Sequence, residues 1–291
     1  MDAQMSRFFM AYLTANDDQS YFADFLNFRN MAKRNPGVER IELFIAVSEV
    51  NPWSANDAAA LNGLVELAER SSWLKVRRVI RKGNIGRDFS SAEACLRSMA
   101  DNISDDDYVL IRNRSAYGPS RSGWYKDFIE QYQRHPNTGL VGSTINLRDH
   151  PLRPSEGSPT HVQTYAYLSQ WRSLVGLMDA YPASRCVDRL QLIVEGEIGL
   201  SQRILSQGLG ISCLLWPDQL FHADSPTPSH LPKSDTKSSR PARALSLCYK
   251  YSRYRRRLMD LPARLEWALY LHQNSRAELR DSAPMRVTDY D

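Results

Sequence analysis

Short apolar runs alternate with helix-patterned segments through the first hundred residues, and this alternation constrains the fold more than any other feature. The runs at 7–14, 41–48 and 76–82 have the length of buried strands. The segments between them, about 22–31 and 56–70, carry apolar side chains at three- and four-residue spacing, which is typical of amphipathic helices. Strands and helices that alternate in this way predict an α/β fold, with a mostly parallel sheet flanked by helices.

The same pattern continues beyond residue 100. We expect further strands at 108–113, 139–146, 162–167 and 210–216, and helices at 90–99, 123–135 and 199–207. Parallel sheets of this kind bind ligands at the carboxyl ends of their strands. The residues that follow the strands are therefore the first candidates for a functional site.

The composition of the chain changes after residue 223. Residues 224–244 are rich in Pro, Ser, Thr and Lys, which predicts a flexible linker between a domain at 1–223 and a helical tail at 245–291. A hydrophobic share of 42% excludes a wholly disordered chain. No apolar run has the length of a membrane span, and the first twenty residues lack a signal-peptide pattern, so we expect a cytoplasmic protein.

The positive charge of the chain is concentrated late in the sequence. Residues 233–264 hold ten basic and two acidic residues, so the rest carries a net charge of −4 although the whole chain has +4. The acidic remainder argues against nucleic-acid binding. A helix from Leu247 would separate an apolar face from a basic one, which suits an anionic membrane surface through residues 245–264. A helix docked on the body of the protein or on a second copy explains the same pattern.

The four cysteines, Cys95, Cys186, Cys213 and Cys248, are widely spaced and lie in apolar surroundings. No CxxC pair is present, so we expect reduced thiols and no zinc site built on cysteine.

The first candidate patch, residues 83–88, joins the third predicted strand to the helix after it. Gly83 and Gly86 allow a tight turn, and the helix start offers free N–H groups to an anion or a ribose. Asn84 and Asp88 add polar side chains. A plain turn with Asp88 as N-cap explains the same residues.

The second patch follows the strand at 108–113. Arg112 and Arg114 flank Asn113 where the strand ends, and no acid stands beside the pair in the sequence. Isolated cations are costly to bury, so a phosphate or diphosphate is one partner that fits. A solvated loop with both arginines pointing outward is the alternative.

The third patch, residues 194–201, places Glu195 and Glu197 at the predicted start of the helix at 199–207. Acidic residues at a helix start often only complement the helix dipole. A carboxylate fixed beside a cleft can also serve as a general base.

Together the three patches resemble those of a GT-A-fold glycosyltransferase. A narrower resemblance is to bacterial polysaccharide glycosyltransferases of the rhamnan-synthesis type. Five blocks in the same order carry it, over about residues 80–215: NIGRD (84–88), IRNRSAYGP (111–119), GSTIN (142–146), HVQT (161–164) and EIGLSQRIL (197–205). The resemblance implies a GT-A-like, Rossmann-like sheet with a C-terminal helical extension.

The resemblance also implies roles for single residues. Glu197 takes the position of the base that deprotonates the acceptor hydroxyl in inverting members, and Gly196 replaces the first acid of the usual pair. The donor-binding positions are Asn84, Gly86, Arg87, Asp88, Asn113, Arg114 and Ser115. His161, Gln163 and Glu195 are candidates for the sugar or acceptor pocket, although His161 and Gln163 also suit an ordinary packed strand.

One departure from the resemblance concerns metal. Arg114 stands where GT-A enzymes usually carry a metal-binding acid, and a guanidinium cannot ligate a cation. We therefore expect no required cofactor, with Mn²⁺ or Mg²⁺ disfavoured and His222 only a weak candidate ligand.

The resemblance implies an inverting transferase that uses a nucleotide-diphosphate sugar and builds lipopolysaccharide, O-antigen or capsule on a glycan or lipid-linked acceptor. The Arg114 substitution keeps open a catalytically silent module that binds glycan or nucleotide.

Overall fold

Nine strands of the described residues form one sheet at the centre of the computed structural model. The structure describes residues 6–17, 21–150, 153, 158–225, 245–249, 261–274 and 286–287. The strands of the sheet are β1 (Phe8–Ala15), β2 (Ile41–Glu49), β3 (Leu74–Gly83), β4 (Tyr108–Asn113), β6 (Thr138–Gly142), β9 (Ala166–Gln170), β10 (Gly210–Cys213), β11 (Leu220–Phe221) and β13 (Arg286–Val287). Two small antiparallel pairs lie outside it, β5 (Ala116–Tyr117) with β12 (Cys248–Tyr249) and β7 (Ile145–Asn146) with β8 (His161–Val162).

The order of strands across the sheet is β11-β10-β6-β9-β4-β1-β2-β3-β13. Strands β4, β1, β2, β3 and β13 run parallel, so their carboxyl ends share one edge. Strand β9 lies antiparallel between β4 and β6. The predicted α/β fold with a mostly parallel sheet is confirmed.

Helices cover both faces of the sheet. They are α1 (Phe22–Lys33), α2 (Ala55–Glu69), α3 (Arg87–Met99), α4 (Lys126–Arg134), α5 (Trp171–Val175), α6 (Arg189–Gln191), a π-helix (Leu192–Ile198), α7 (Gly199–Ser206) and α8 (Leu261–Gln273), with 3₁₀ turns at Ala100–Asn102 and Met178–Ala180. Successive side chains of a strand point to opposite faces. Met10 and Tyr12 therefore pack with α1, α2 and α8, whereas Phe9, Ala11 and Leu13 pack with α3 and α7.

Helix α8 is docked on α1 and α2. The Trp267 ring stacks on Phe25 with ring centroids 4.8 Å apart, and it also stacks on Tyr270. Gly63 of α2 leaves room for this contact, because a Cβ there would lie 2.6 Å from the Tyr270 ring. The docked alternative in the sequence analysis concerned the preceding helix from Leu247, most of which lies outside the described residues.

The predicted tail helix is wrong at its beginning. Leu247 is buried, and Cys248–Tyr249 form a strand with β5 because the backbone there pairs with Ala116–Tyr117. The rest of that predicted helix, 250–260, and the predicted linker from 226 to 244 lie outside the described residues. No helix in the described ranges has both the length and the apolar character needed to cross a bilayer.

Candidate functional site

A cavity of about 450 Å³ opens at the carboxyl edge of the sheet, beside the ends of β1 and β4. We refer to it as the strand-end cavity. It is lined by Leu13, Arg87, Asp88, Phe89, Asn113, Ser115, Gln163, Thr164, Tyr165, Tyr167, Arg189, Leu192, Ile193 and Glu197. All three sequence patches contribute to it, since parallel strands end at one edge and β9 brings the 163–165 segment to the same place.

The turn before α3 is held from below by a buried lysine. The Lys82 ammonium donates hydrogen bonds to the carbonyls of Gly83 at 2.6 Å and Ile85 at 3.4 Å. Gly86 has φ +68°, and its N–H donates to the Cys186 carbonyl at 3.0 Å. A Cβ at Gly86 would lie 1.9 Å from the Ser184 carbonyl oxygen, so only glycine fits.

This turn starts α3 so that Arg87 and Asp88 line the cavity, as predicted for the donor-binding patch. Asn84 is exposed and Gly86 is buried beneath the turn, and neither belongs to the lining. Gly86 shapes the turn, and donor binding by Asn84 and Gly86 stays a prediction.

Asp88 and Asn113 are joined across the cavity floor. The Asn113 Nδ2 donates to Asp88 Oδ2 at 2.8 Å, and Asn113 Oδ1 accepts from the Ser115 N–H at 2.9 Å. Burial raises the pKa of Asp88, although the Asn113 hydrogen bond and the positive charges of Arg114, Lys82 and Arg87 oppose that shift. The end of β4 and the start of α3 are thus tied together by side chains.

Glu197 does not stand at a helix start as predicted. The helix begins at Asp188, whose Oδ1 accepts from the N–H groups of Leu190 at 2.8 Å and Gln191 at 3.0 Å. It then widens into the π-helix that contains Glu197 and continues as α7. The prediction of a helix start at Glu197 is wrong because the N-cap, Asp188, lies nine residues earlier. The π-helix between them is a rare element.

The Glu197 carboxylate has an unusual environment. In the described part of the chain it accepts no hydrogen bond and forms no ion pair, although it faces the strand-end cavity. Burial, and after it the negative charge of Asp88, raise the pKa of Glu197. A carboxylate with a raised pKa and no partner is a stronger proton acceptor than an ordinary surface acid.

Close packing of α3 against the π-helix brings these two acids to one cavity. Gly196 lies against Phe89, and a Cβ at Gly196 would come within 2.4 Å of the Phe89 ring. The neighbours of these two residues in the chain are Glu197 and Asp88. Glycine in place of the first acid of the pair therefore has a steric reason.

Neither arginine of the second patch faces the cavity. The Arg114 guanidinium is paired with Asp17, Nη1 lying 2.9 Å from Oδ1 and Nη2 contacting Oδ2, and Nη1 also donates to the Ala15 carbonyl. Arg112 is fully buried and donates to the carbonyls of Ala116 and Gly118. The acid that is not beside Arg114 in the sequence is thus supplied by Asp17 in the loop after β1.

The structure separates the three candidate residues of the sugar or acceptor pocket. Gln163 lines the cavity, and its Oε1 accepts from Thr144 Oγ1 at 2.7 Å. His161 is buried outside the lining, where Nδ1 donates to the Pro159 carbonyl at 2.7 Å and burial lowers the pKa of the ring. Glu195 is exposed and accepts from Cys186 Sγ at 3.1 Å, away from the cavity.

His222 lies beside Gly210 on β10 and does not line the cavity. Among the residues that the structure describes, no group of three or more His, Cys, Asp and Glu side chains is arranged to hold a metal ion.

The sequence analysis missed Arg189, Tyr165 and Tyr167. Arg189 supplies a second cation to the lining besides Arg87. Asp188, a typical N-cap residue, was the sequence signal for the helix that begins at Arg189. The tyrosine hydroxyls are fixed, Tyr165 by Thr144 at 3.1 Å and Tyr167 by Tyr181 at 2.8 Å. Two cations, two acids and aromatic walls suit a ligand that combines an anionic group with hydroxyl-bearing rings.

A second cavity of about 450 Å³ includes Asp17, the partner of Arg114, in its lining. It is lined by Asn16, Asp17, Tyr21, Asn51, Pro52, Ser54, Asn56, Asp57, Ala60, Leu271 and His272. The carboxyl end of α8 thus reaches the strand-end edge, next to the ends of β1 and β2.

The sequence matches no protein family profile and no curated protein. Similar solved structures include the mannosyltransferase PcManGT from Pyrobaculum calidifontis in complex with GDP-Man and Mn²⁺, with TM-score 0.46 and 11% identity over 72% of this chain and 55% of that one. S. aureus TarS 1–349 gives 0.44 and 13% identity over 74% and 60%. The cytidylyltransferase IspD from Francisella tularensis gives 0.41 and 15% identity over 72% and 89%.

The chain thus spans less than two thirds of the mannosyltransferase and TarS chains that it matches. At these identities and TM-scores the similarities identify no family for this chain.

Proposed function

We propose that this protein is an inverting glycosyltransferase that moves a sugar from a nucleotide-diphosphate donor to a glycan or lipid-linked acceptor in bacterial surface polysaccharide synthesis. The observation that carries the proposal is the Glu197 carboxylate, which faces the strand-end cavity without a partner among the described residues and whose pKa is raised by burial and then by the charge of Asp88. The motif resemblance supplies the reaction class, and the cavity supplies the groups that the reaction needs.

The proposed reaction uses groups of opposite charge in the same cavity. Glu197 takes the proton from the acceptor hydroxyl as that oxygen attacks the anomeric carbon. The bond from this carbon to the diphosphate oxygen breaks on the opposite face, and the diphosphate leaves with the electron pair. Attack from the face opposite the leaving group inverts the anomeric centre. Arg87 and Arg189 are the lining cations assigned to the departing negative charge.

Asp88 and Asn113 are assigned to hold the donor at the end of β4, with Ser115 and Gln163 as further polar contacts. Arg114 is assigned a positioning role, because its guanidinium is already paired with Asp17. Through this pair it fixes the loop after β1 against the loop after β4.

We expect transfer to proceed without a divalent metal ion. The residue after Asn113 is Arg114, whose guanidinium repels a cation. Both polar atoms of the Asn113 amide already form hydrogen bonds, since Nδ2 donates to Asp88 and Oδ1 accepts from the Ser115 N–H. The donor set at this strand end therefore does not fit Mn²⁺ or Mg²⁺.

The test is binding and turnover of a panel of nucleotide-diphosphate sugars, each with Mn²⁺ and with EDTA. Glu197→Gln should keep donor binding and lower turnover by about 10²–10⁴-fold, the usual contribution of a general base. Glu195→Gln is the matched control, because that carboxylate lies two residues away but outside the cavity. Turnover that survives in Glu197→Gln would contradict the assigned base, and turnover that needs Mn²⁺ would contradict the metal-independent reaction.

A silent binding module is the second candidate, favoured by the Arg114–Asp17 pair at a position where the resemblance leads us to expect a metal ligand. A donor that binds tightly but is never consumed, with every acceptor tried, would establish it. Failure of all donors to bind would refute the transferase and would leave the silent module as a glycan-binding protein.

A further inference from the structure

The outer face of α8 carries an exposed apolar stripe. Leu261, Leu265 and Leu269 are 55%, 58% and 59% exposed. Their four-residue spacing places them one above the other on the same side of the helix. Solvent-exposed helix faces are normally polar, so this stripe calls for a covering surface.

The stripe cannot be turned inward, because the opposite face of α8 is fixed. Trp267 is only 4% exposed and stacks on Phe25. The Arg264 guanidinium lies 4.3 Å from the centre of the Phe22 ring, and Glu266 forms an ion pair with Arg29. The helix is therefore anchored on α1 and α2 with its leucines pointing away from the body.

The sequence just before α8 is strongly basic. Residues 250–257 contain Lys250, Arg253, Arg255, Arg256 and Arg257 and no acid. An apolar helix face that follows a cluster of cations is the combination that binds the interface of an anionic bilayer.

We propose that α8 docks this protein on an anionic membrane surface, with Leu261, Leu265 and Leu269 entering the boundary between headgroups and acyl chains. The cluster at 250–257 supplies the attraction to the negatively charged lipids. The proposal is independent of the reaction in the strand-end cavity.

A second copy of the chain fits the stripe less well. Three partly exposed leucines present on the order of a few hundred Å², whereas a stable interface buries about 800 Å² on each partner. In a two-fold dimer each partner offers the same surface, so a dimer through the stripe would bury no more than this area on either copy.

Docking through α8 has a consequence for the acceptor, and this consequence rests on the proposed function. Leu271 and His272, at the end of α8, line the second cavity together with Asn16 and Asn51 from the strand-end edge. A membrane under α8 therefore lies beside the edge where transfer is proposed, which favours a lipid-linked acceptor over a free glycan.

The test is flotation of the full chain with vesicles of phosphatidylcholine alone and with about one third phosphatidylglycerol. We expect binding to the anionic vesicles only, weakened by high salt. Leu261→Ser/Leu265→Ser/Leu269→Ser should lower it by at least about tenfold. Val50→Ser/Val175→Ser/Val187→Ser is the control, since these valines are 48%, 45% and 77% exposed and lie outside α8.

Thermal unfolding of the leucine variant should match that of the unaltered chain, because the three side chains face away from the core. Three results would overturn the proposal: no flotation of the unaltered chain with anionic vesicles, equal flotation of the leucine variant, or a dimer in solution that the leucine substitutions dissociate. Donor binding measured without vesicles tests the proposed function separately.

Discussion

Gly196 of the π-helix and Phe89 of α3 touch so closely that a Cβ on Gly196 would lie 2.4 Å from two carbons of the Phe89 ring. The ring is buried, so it has little space to move. This contact sets the separation of the two elements that carry Asp88 and Glu197. The separation between the side of the cavity that carries Asp88 and the side that carries Glu197 thus depends on the absence of a side chain at Gly196.

Gly196→Ala should therefore destabilise the protein and impair the site. Alanine gains about 1 kcal/mol over glycine in a helix interior, but overpacking of a buried contact costs about 1–3 kcal/mol and is expected to outweigh the gain here. Urea unfolding measures the change. Gly176→Ala is the control, because nothing lies within 4 Å of its added Cβ. Equal stability of the two variants would show that α3 and the π-helix can move apart to fit the extra methyl group without a cost in free energy.

Substitution of Gly86 tests the turn before α3. Gly86 and Gly208 both have positive φ, +68° and +77°, but only Gly86 would place a Cβ against a backbone atom. Gly208→Ala should cost about 1–2 kcal/mol, the price of the left-handed conformation alone. Gly86→Ala should cost more than that in urea unfolding and should weaken donor binding. A cost no greater than that of Gly208→Ala would mean that the turn can move away from Ser184.

The low-pH side of the plot of activity against pH, its acid limb, should depend on the charge of Asp88. The negative charge of Asp88 helps to raise the pKa of Glu197, after burial. A base works only when ionised, so activity falls as the pH drops through its pKa. Asp88→Asn removes the charge and should move this limb to lower pH in a plot of kcat/KM, even if activity is reduced. Glu195→Gln should leave the limb in place. An unmoved limb in Asp88→Asn would show that the charge of Asp88 does not affect the pKa of Glu197.

Asp24 on α1 predicts a pH dependence of stability. Burial raises the pKa of this carboxyl to about 6, so the folded protein holds a proton that the unfolded chain releases between roughly pH 4 and 6. The stability contributed by this proton is present at low pH and lost as the pH rises through about 6. A shift of this size corresponds to about 3 kcal/mol.

Asp24→Asn removes this titration while it keeps an acceptor for the hydroxyl of Tyr12, which lies 3.0 Å from Asp24 Oδ1. The free energy of unfolding of the variant relative to the unaltered chain should therefore improve between pH 4 and pH 7. Urea unfolding at the two pH values measures the difference. A constant gap between the two proteins would contradict the burial argument.

Local sequence signals were sufficient for most of the sheet and for part of the site. The apolar run at Tyr108–Asn113 is bounded by acidic residues before it and arginine after it, and β4 has these bounds. Asp88 and Asn113 were predicted beside strand ends, and parallel topology brings both to one cavity, whereas Glu197 lines the same cavity from a π-helix and not from the predicted helix start. Apolar side chains recur every 3.6 residues in helices and every two residues in strands, and both patterns can be recognised in a short stretch of sequence.

The remaining features depend on contacts between distant parts of the chain. The pairing of Arg114 with Asp17 spans 97 residues, and nothing local to either residue announces it. The insertion of β9 between β4 and β6 is likewise a matter of strand order. The sequence from Leu247 has a helical pattern of side chains, yet Cys248–Tyr249 pair with β5, because tertiary contacts override local preference.

The docking of α8 also affects how the chain folds during synthesis. Phe25 and Gly63 leave the ribosome early, but Trp267 and Tyr270, which cover them, are made more than two hundred residues later. At about 5–20 residues per second this interval lasts on the order of 10–50 s. The surface of α1 and α2 that α8 covers is therefore open to chaperones throughout this interval, and the nascent chain completes this part of its core only when α8 emerges.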